Sequence, residues 1–177
     1  NASFALSEQF CTARAGAVSV GDDLTDAIPN LTLAQISDQC QSFAGAVSAQ
    51  TALIGSLTPT QVPQAAQGFA ATTGIPQPEM AATARVCLGV GYANDNMEMA
   101  LGSALMLVAA GETAYGELLG HHLREGFGVS ENTNRAQAWY NVSLASVEAG
   151  GPAVFSPTDA GRIPLIRQAV AMTLGNG

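Results

Sequence analysis

His121-His122-x-x-Glu125 is the cluster in this chain whose residue types could hold a metal or move a proton. On a helix, His121 and Glu125 stand four apart and His122 and Glu125 three apart, so a pair of these side chains can share one face. A protein metal site wants three or four ligands, and no further histidine exists in the chain. The metal reading is therefore the weaker one. These residues, with Glu117 and Arg124 on the same run, read instead as the outward-facing positions of a helix available to a partner.

Other chemistry-bearing groups are sparser. Met97, Met99 and Met106 could be a soft copper set, but methionines in an apolar helix are far more often gap fillers. Asp22, Asp23 and Asp26 form an acidic stretch read as a solvated loop, since the glycine precedes them and no closing glutamate follows at the calcium-loop position. Ser103 and Ser143 fall inside helical patterns, away from any nucleophile-elbow context. Three cysteines are present, Cys11, Cys40 and Cys87. If the first two helices pack as an antiparallel hairpin, Cys11 and Cys40 can meet, and a bridge there would add roughly 3–4 kcal/mol. The other reading is three buried thiols, and Cys87 is left over in either case. No cysteine or histidine spacing resembles a zinc site. No cofactor is expected.

Composition bounds what the chain can bind. It has 177 residues, enough for one domain with an ordinary core, and charged residues make up 11%, against roughly 25% in a typical globular protein. Its formal net charge is -8, with six arginines and no lysine. A nucleic-acid backbone or an anionic lipid surface would require a basic stripe, so neither is an expected partner. The longest apolar run, Ala100 to Gly111, is too short for the roughly 20 residues of a bilayer crossing and reads as a buried helix. The chain starts Asn1-Ala2-Ser3 without Met, which suggests a mature form that has lost a signal peptide and hence a periplasmic or secreted location.

The elements that must position these residues are all helical, because no segment alternates apolar and polar residues over a strand's length. A first helix is expected from about Phe4 to Val18, ending in the loop around Gly21. Thr32 with Gln35 forms a capping box for a long second helix to about Leu57, whose stripe is Leu33, Ile36, Cys40, Phe43, Val47 and Ile54. Thr58-Pro59 opens a third helix that Gly74 ends, and Ile75-Pro76-Gln77-Pro78 is a stiff connector. That connector divides an N-terminal helical region, residues 1–75, from residues 76–177, the two expected to form one compact domain. A helix then runs from Pro78 to about Ala93. Asp95 with Glu98 is expected to cap the next, which Gly111 terminates. Helices near 113–125 and 133–149 follow, and Pro164 starts a final helix to about Leu174.

Two helical pairs in the second region are partly self-similar. Ala84-x-x-x-Leu88-Gly89-x-x-Tyr92 aligns with Tyr115-x-x-x-Leu119-Gly120-x-x-Leu123, and the pairs close at Gly111 and Gly150. From Leu119 the second pair continues through Gly126, Gly128, Val129, Arg135, Ala136, Trp139 and Tyr140. This resembles the Sel1-like repeat family, helix-turn-helix relatives of tetratricopeptide repeats, whose pattern is approximately A-x-x-x-L-G-x-x-Y-x-x-G-x-G-V, a polar spacer, then K-A-x-x-W-Y-x-x-A-A-x-x-G. Tyr115, Leu123 and Ser143-Leu144 depart from that pattern, and the closing glycine arrives late. The earlier pair lacks the Gly-x-Gly-Val turn. One clear repeat and one eroded repeat thus cover residues 84–150.

The resemblance implies a short α-solenoid of helix-turn-helix hairpins with an N-terminal helical cap and a C-terminal capping helix. It also implies a non-catalytic role in protein-protein or protein-peptide interaction, with Glu117, His121, His122 and Arg124, the expected outward positions of the clear repeat's first helix, as contacts. The absence of lysine with the Ala and Gly load reads as coding bias of a GC-rich bacterial genome, which together with a lost signal peptide places that role in the bacterial cell envelope. The competing expectation is an enzyme or small-ligand carrier, metal-dependent or not, that uses His121, His122 and Glu125. A homo-oligomer with a self-complementary apolar surface is a third.

Overall fold

Asn1 opens the first helix, its side-chain oxygen accepting from the Ser3 and Phe4 amides, so α1 (Ala2–Asp26) begins at once. The computed structural model describes residues 1–175, and every regular element among them is helical. α1 runs well past the expected stop at Val18. Gly21 does not break it, because it is a contact point: a Cβ on Gly21 would lie 2.9 Å from the Gly89 Cα. Asp22, Asp23 and Asp26 consequently sit exposed on a helix and not in a loop.

The reciprocal Thr32–Gln35 cap forms as the spacing predicts and starts α2 (Leu33–Ala46). α2 ends at Ala46, short of Leu57. At Val47 the chain bends into α3 (Ser48–Thr51), and Val47 and Thr51 press on Gly102, where an added Cβ would meet Thr51 Oγ1 at 2.8 Å. Leu33, expected on the apolar stripe, is 75% exposed. Thr58 and Gln61 exchange a second pair of capping hydrogen bonds ahead of α4 (Gln61–Thr73), which ends at Gly74 with φ of 70°.

α5 (Gln77–Ala93) and α6 (Met97–Ala109) make a hairpin so close that a Cβ on Gly91 would lie 2.8 Å from the Ala100 nitrogen. Asn96 caps α6 by accepting from the Met99 amide; Asp95, expected in that role, occupies the left-handed turn at φ 52°. All of α6 except Glu98 is buried. A 3₁₀ turn at Thr113–Tyr115 leads into α7 (Gly116–Glu125), which pairs with α8 (Thr133–Glu148) as a second hairpin. Gly126 and Gly128, at φ 64° and 73°, make the turn between them. Gly120 admits the Tyr140 ring at 3.1 Å from where its Cβ would stand. α9 (Arg162–Leu174) closes the chain, with Pro164 in its first turn, where a missing amide costs no helical hydrogen bond.

α1 does not cap one end. It lies across α5, α7 and α9, while α9 packs on α8 and α1. The main core runs from Leu6 to Val170, with members on both sides of the Ile75–Pro78 connector. A separate, smaller cluster of Ile36, Cys40, Ala44, Cys87 and Met99 joins α2 to α5 and α6.

The disulfide is Cys40–Cys87, not Cys11–Cys40. The expected pairing fails because α1 rests on α5 and does not form a hairpin with α2. Phe10 takes the buried side of α1, which turns Cys11, one residue on, to solvent as a free thiol.

Candidate functional site

α7 carries Leu118, Leu119 and Leu123, all fully buried, so one face was bound to enter the core. The other face is buried too. Glu117 is 3% exposed and His121 and His122 are 0% exposed, so these three are not the outward-facing partner contacts that the repeat pattern suggested. The cause is α1, which covers the face that an isolated pair of hairpins would leave open. Phe10 stacks on His121 with ring centroids 5.0 Å apart and meets His122 edge-on at the same distance. Arg124 lies at the margin, half-buried, donating to Ser7 Oγ at 2.8 Å and Ser3 Oγ at 3.3 Å and pairing with Glu125. Ser7 Oγ in turn donates to Glu125 at 3.0 Å.

The three fully buried polar side chains of α7, Glu117, His121 and His122, each have a partner from another element. Arg162, at the start of α9, donates to both Glu117 oxygens at 2.9 and 2.5 Å. Glu117 also accepts from His121 Nε2 at 3.0 Å. A carboxylate only accepts, so Nε2 carries the proton of His121, and Nδ1 accepts from the Tyr140 hydroxyl at 2.6 Å. In His122 the assignment is reversed. The Phe127 carbonyl requires a proton on Nδ1, at 2.6 Å, which leaves Nε2 to accept from the Tyr92 hydroxyl at 2.8 Å. Adjacent histidines are therefore held as opposite neutral tautomers by the groups they face.

The electrostatics follow from burial and pairing. For Glu117, burial raises the carboxyl most, yet the hydrogen bonds and charges of His121 and Arg162 together outweigh it and hold the group below the usual carboxylate range. Burial lowers His121, against the opposing pull of Glu117. Burial also takes His122 down to about 4; the Phe127 carbonyl opposes the shift, and the charges of His121 and Arg14 add to it. Tyr92 and Tyr140 are both pushed up by burial. The result is an ionised Glu117–Arg162 pair beside two neutral imidazoles and two neutral phenols.

A cation completes the arrangement under α1. The Arg14 guanidinium sits 5.4, 5.4 and 5.2 Å from the ring centroids of Phe10, Tyr92 and Phe127, a three-sided aromatic cage. Phe10, Arg14 and Arg162 were not singled out from the sequence, Tyr92 was read only as a repeat position, and no spacing pointed to their contacts with α7. The usable signal was indirect: a buried carboxylate needs a cation, and with no lysine in the chain it had to be an arginine.

His121, His122 and Glu125 are not brought to one point. His121 turns to Glu117 and Tyr140, His122 to Tyr92 and Phe127, and Glu125 to Ser7 at the exposed rim. Met97 and Met106 belong to the main core, whereas Met99 belongs to the α2 cluster. Among the described residues, no group of three or more His, Cys, Asp or Glu is placed to hold a metal. Tyr140 finds its hydrogen-bond partner, but Trp139 Nε1, also buried, has none among the described residues.

Open cavities lie elsewhere. One, about 640 Å³, is a cleft between α8, the 150s loop and α9, lined by apolar residues including Val147, Ile163 and Ala171 and by Glu148, Arg167 and Asp159. A second, about 240 Å³, opens over the Cys40–Cys87 bridge. Among the described residues, no helix is long and apolar enough to cross a membrane. No family model matches the chain, and no curated protein or solved structure matches it.

Proposed function

We propose that this protein is a non-catalytic, Sel1-like helical-repeat scaffold that binds another protein or peptide in the bacterial cell envelope. One observation carries the reading: Glu117, His121 and His122 are committed inward, each to a named internal partner, while an open cleft between α8 and α9 is lined mainly by apolar residues. The two consecutive hairpins, α5/α6 and α7/α8, support the repeat resemblance, as do the close approaches at Gly116 and Gly120 against Trp139 and Tyr140. The Cys40–Cys87 bridge supports an oxidising compartment.

The partner meets the α8/α9 cleft, because the face of Glu117, His121 and His122 is already taken by α1. Apolar walls with Asp159 at the edge, on a chain of net charge -8, suit an apolar segment flanked by basic residues. The test places a photo-crosslinking residue at Ala160 or Ala171 in the cleft, with Ser42 on α2 as a control, in a native envelope fraction. A discrete adduct at both cleft positions, missing at Ser42 and lost with Ile163→Glu, supports the reading. The same adducts at all three positions would sink it.

A further inference from the structure

The bridge between Cys40 and Cys87 is the floor of a pocket, and the helix it holds is thinly attached. The pocket, about 240 Å³, is walled by Leu24 and Ile28 from the α1 end, Ile36 from α2, and Ala82 and Val86 from α5, with Gln39 and Thr83 as its polar groups. Both cysteines are 2% exposed, so a reagent reaches them through this opening and not across open surface. α2 buries only Ile36, Cys40 and Ala44 from its own length. Those residues form their own cluster with Cys87 and Met99, outside the main core. The bridge is thus buried in a small cluster, and the approach to it is the pocket between these apolar walls.

We propose that Cys40–Cys87 is a thiol-exchange site for apolar thiols, entered through this pocket, and that its opening releases α2 from the α5/α6 hairpin. The incoming thiolate attacks one bridge sulfur, the Cys40–Cys87 S–S bond breaks, and a new S–S bond forms between the attacker and that cysteine. The other cysteine leaves as a thiolate and takes a proton from water. With a dithiol, the second thiolate attacks the reagent's sulfur in the mixed disulfide, and that S–S bond breaks as the cysteine leaves as a thiolate and is protonated by water. The reagent ends as a cyclic disulfide, having given two electrons to the bridge, now two cysteine thiols. The apolar walls select the attacker: leucine and isoleucine side chains favour an aromatic or alkyl thiol over a charged one. The inference is independent of the partner-binding reading above, since it concerns a different face.

The experiment uses the full chain with Cys11→Ser, which removes the exposed free thiol and prevents scrambling. Benzyl mercaptan and glutathione are each added to native protein and to protein unfolded in guanidinium, and mixed disulfide is followed by intact mass. The preference for benzyl mercaptan over glutathione is expected to be at least roughly tenfold greater in the native protein than in the unfolded one. Thr83→Phe, which fills the pocket from an exposed position on α5, is expected to remove that excess while leaving the unfolded rates unchanged. After exchange, amide hydrogen exchange is expected to speed up across residues 33–46 and to stay unchanged across 116–148. Equal preference in native and unfolded protein, or no effect of Thr83→Phe, overturns the exchange site. Unchanged protection in residues 33–46 after exchange overturns the release of α2.

Discussion

α7 and α2 both lean on α6, yet they are secured in opposite ways. α7 buries a carboxylate and two imidazoles, and each is satisfied by a group from another element: Arg162 from α9, Tyr140 from α8, Tyr92 from α5 and the Phe127 carbonyl. α2 buries three small or medium apolar side chains and a covalent bond. A polar network of this kind fixes the relative placement of several elements at once, and losing any member leaves another stranded in a medium that cannot solvate it. A satellite apolar cluster asks little of the rest of the fold. Polar residues on a helix are thus no guide to exposure here: Glu117, His121 and His122 are as buried as the apolar residues by which α2 is attached.

Three perturbations sharpen this contrast. The largest effect is expected from Arg162→Met, which leaves Glu117 buried without its cation and should cost about 3–5 kcal/mol in urea unfolding. A loss below about 1 kcal/mol would mean that the network is incidental to the fold. Next is the Cys40→Ser/Cys87→Ser pair, which opens a covalent link spanning 47 positions and should cost roughly 2–4 kcal/mol by thermal melting. Its hydrogen-exchange signature should be confined to α2, whereas that of Arg162→Met should reach α1, α7 and α9.

The smallest effect separates the two helices by pH. His122 refuses a proton until about pH 4 in the folded protein, whereas an unfolded histidine accepts one near 6.5. Between those values the unfolded chain binds more protons, so stability is complete above about pH 6.5 and falls on acidification, by up to about 3 kcal/mol at pH 4. Glu117, whose folded carboxyl is held low, adds loss in the same direction below the usual carboxylate range. The α2 bridge does not titrate, so the Cys40→Ser/Cys87→Ser variant should keep the slope, measured as urea midpoints from pH 7 to 4.5.

What the sequence made legible was local. The Thr32–Gln35 cap, the helix stop at Gly74 and the turn through Gly126 and Gly128 each depend on neighbours within one hairpin or one turn. The errors share a different cause. Gly21 looked like a helix stop because its reason for being glycine, the Gly89 backbone, lies on another helix. His121 and His122 looked available because α1, which covers them, is more than a hundred positions earlier in the chain. Cys40 was assigned the wrong partner for the same reason: helix periodicity places it on a buried face but does not say which helix that face meets.

The chain's two histidines are internal, neutral and fixed in opposite tautomers. With only two imidazoles, a two-dimensional nitrogen–proton NMR titration of ¹⁵N-histidine-labelled protein reads both directly. The expected result is an Nε2–H tautomer for His121, which takes up a proton only below the usual imidazole range, and an Nδ1–H tautomer for His122, with no protonation of His122 from pH 8 down to 5.5. A titration of either ring near pH 6.5, or fast tautomer exchange, would place that histidine in contact with solvent and rule out the buried, fixed arrangement.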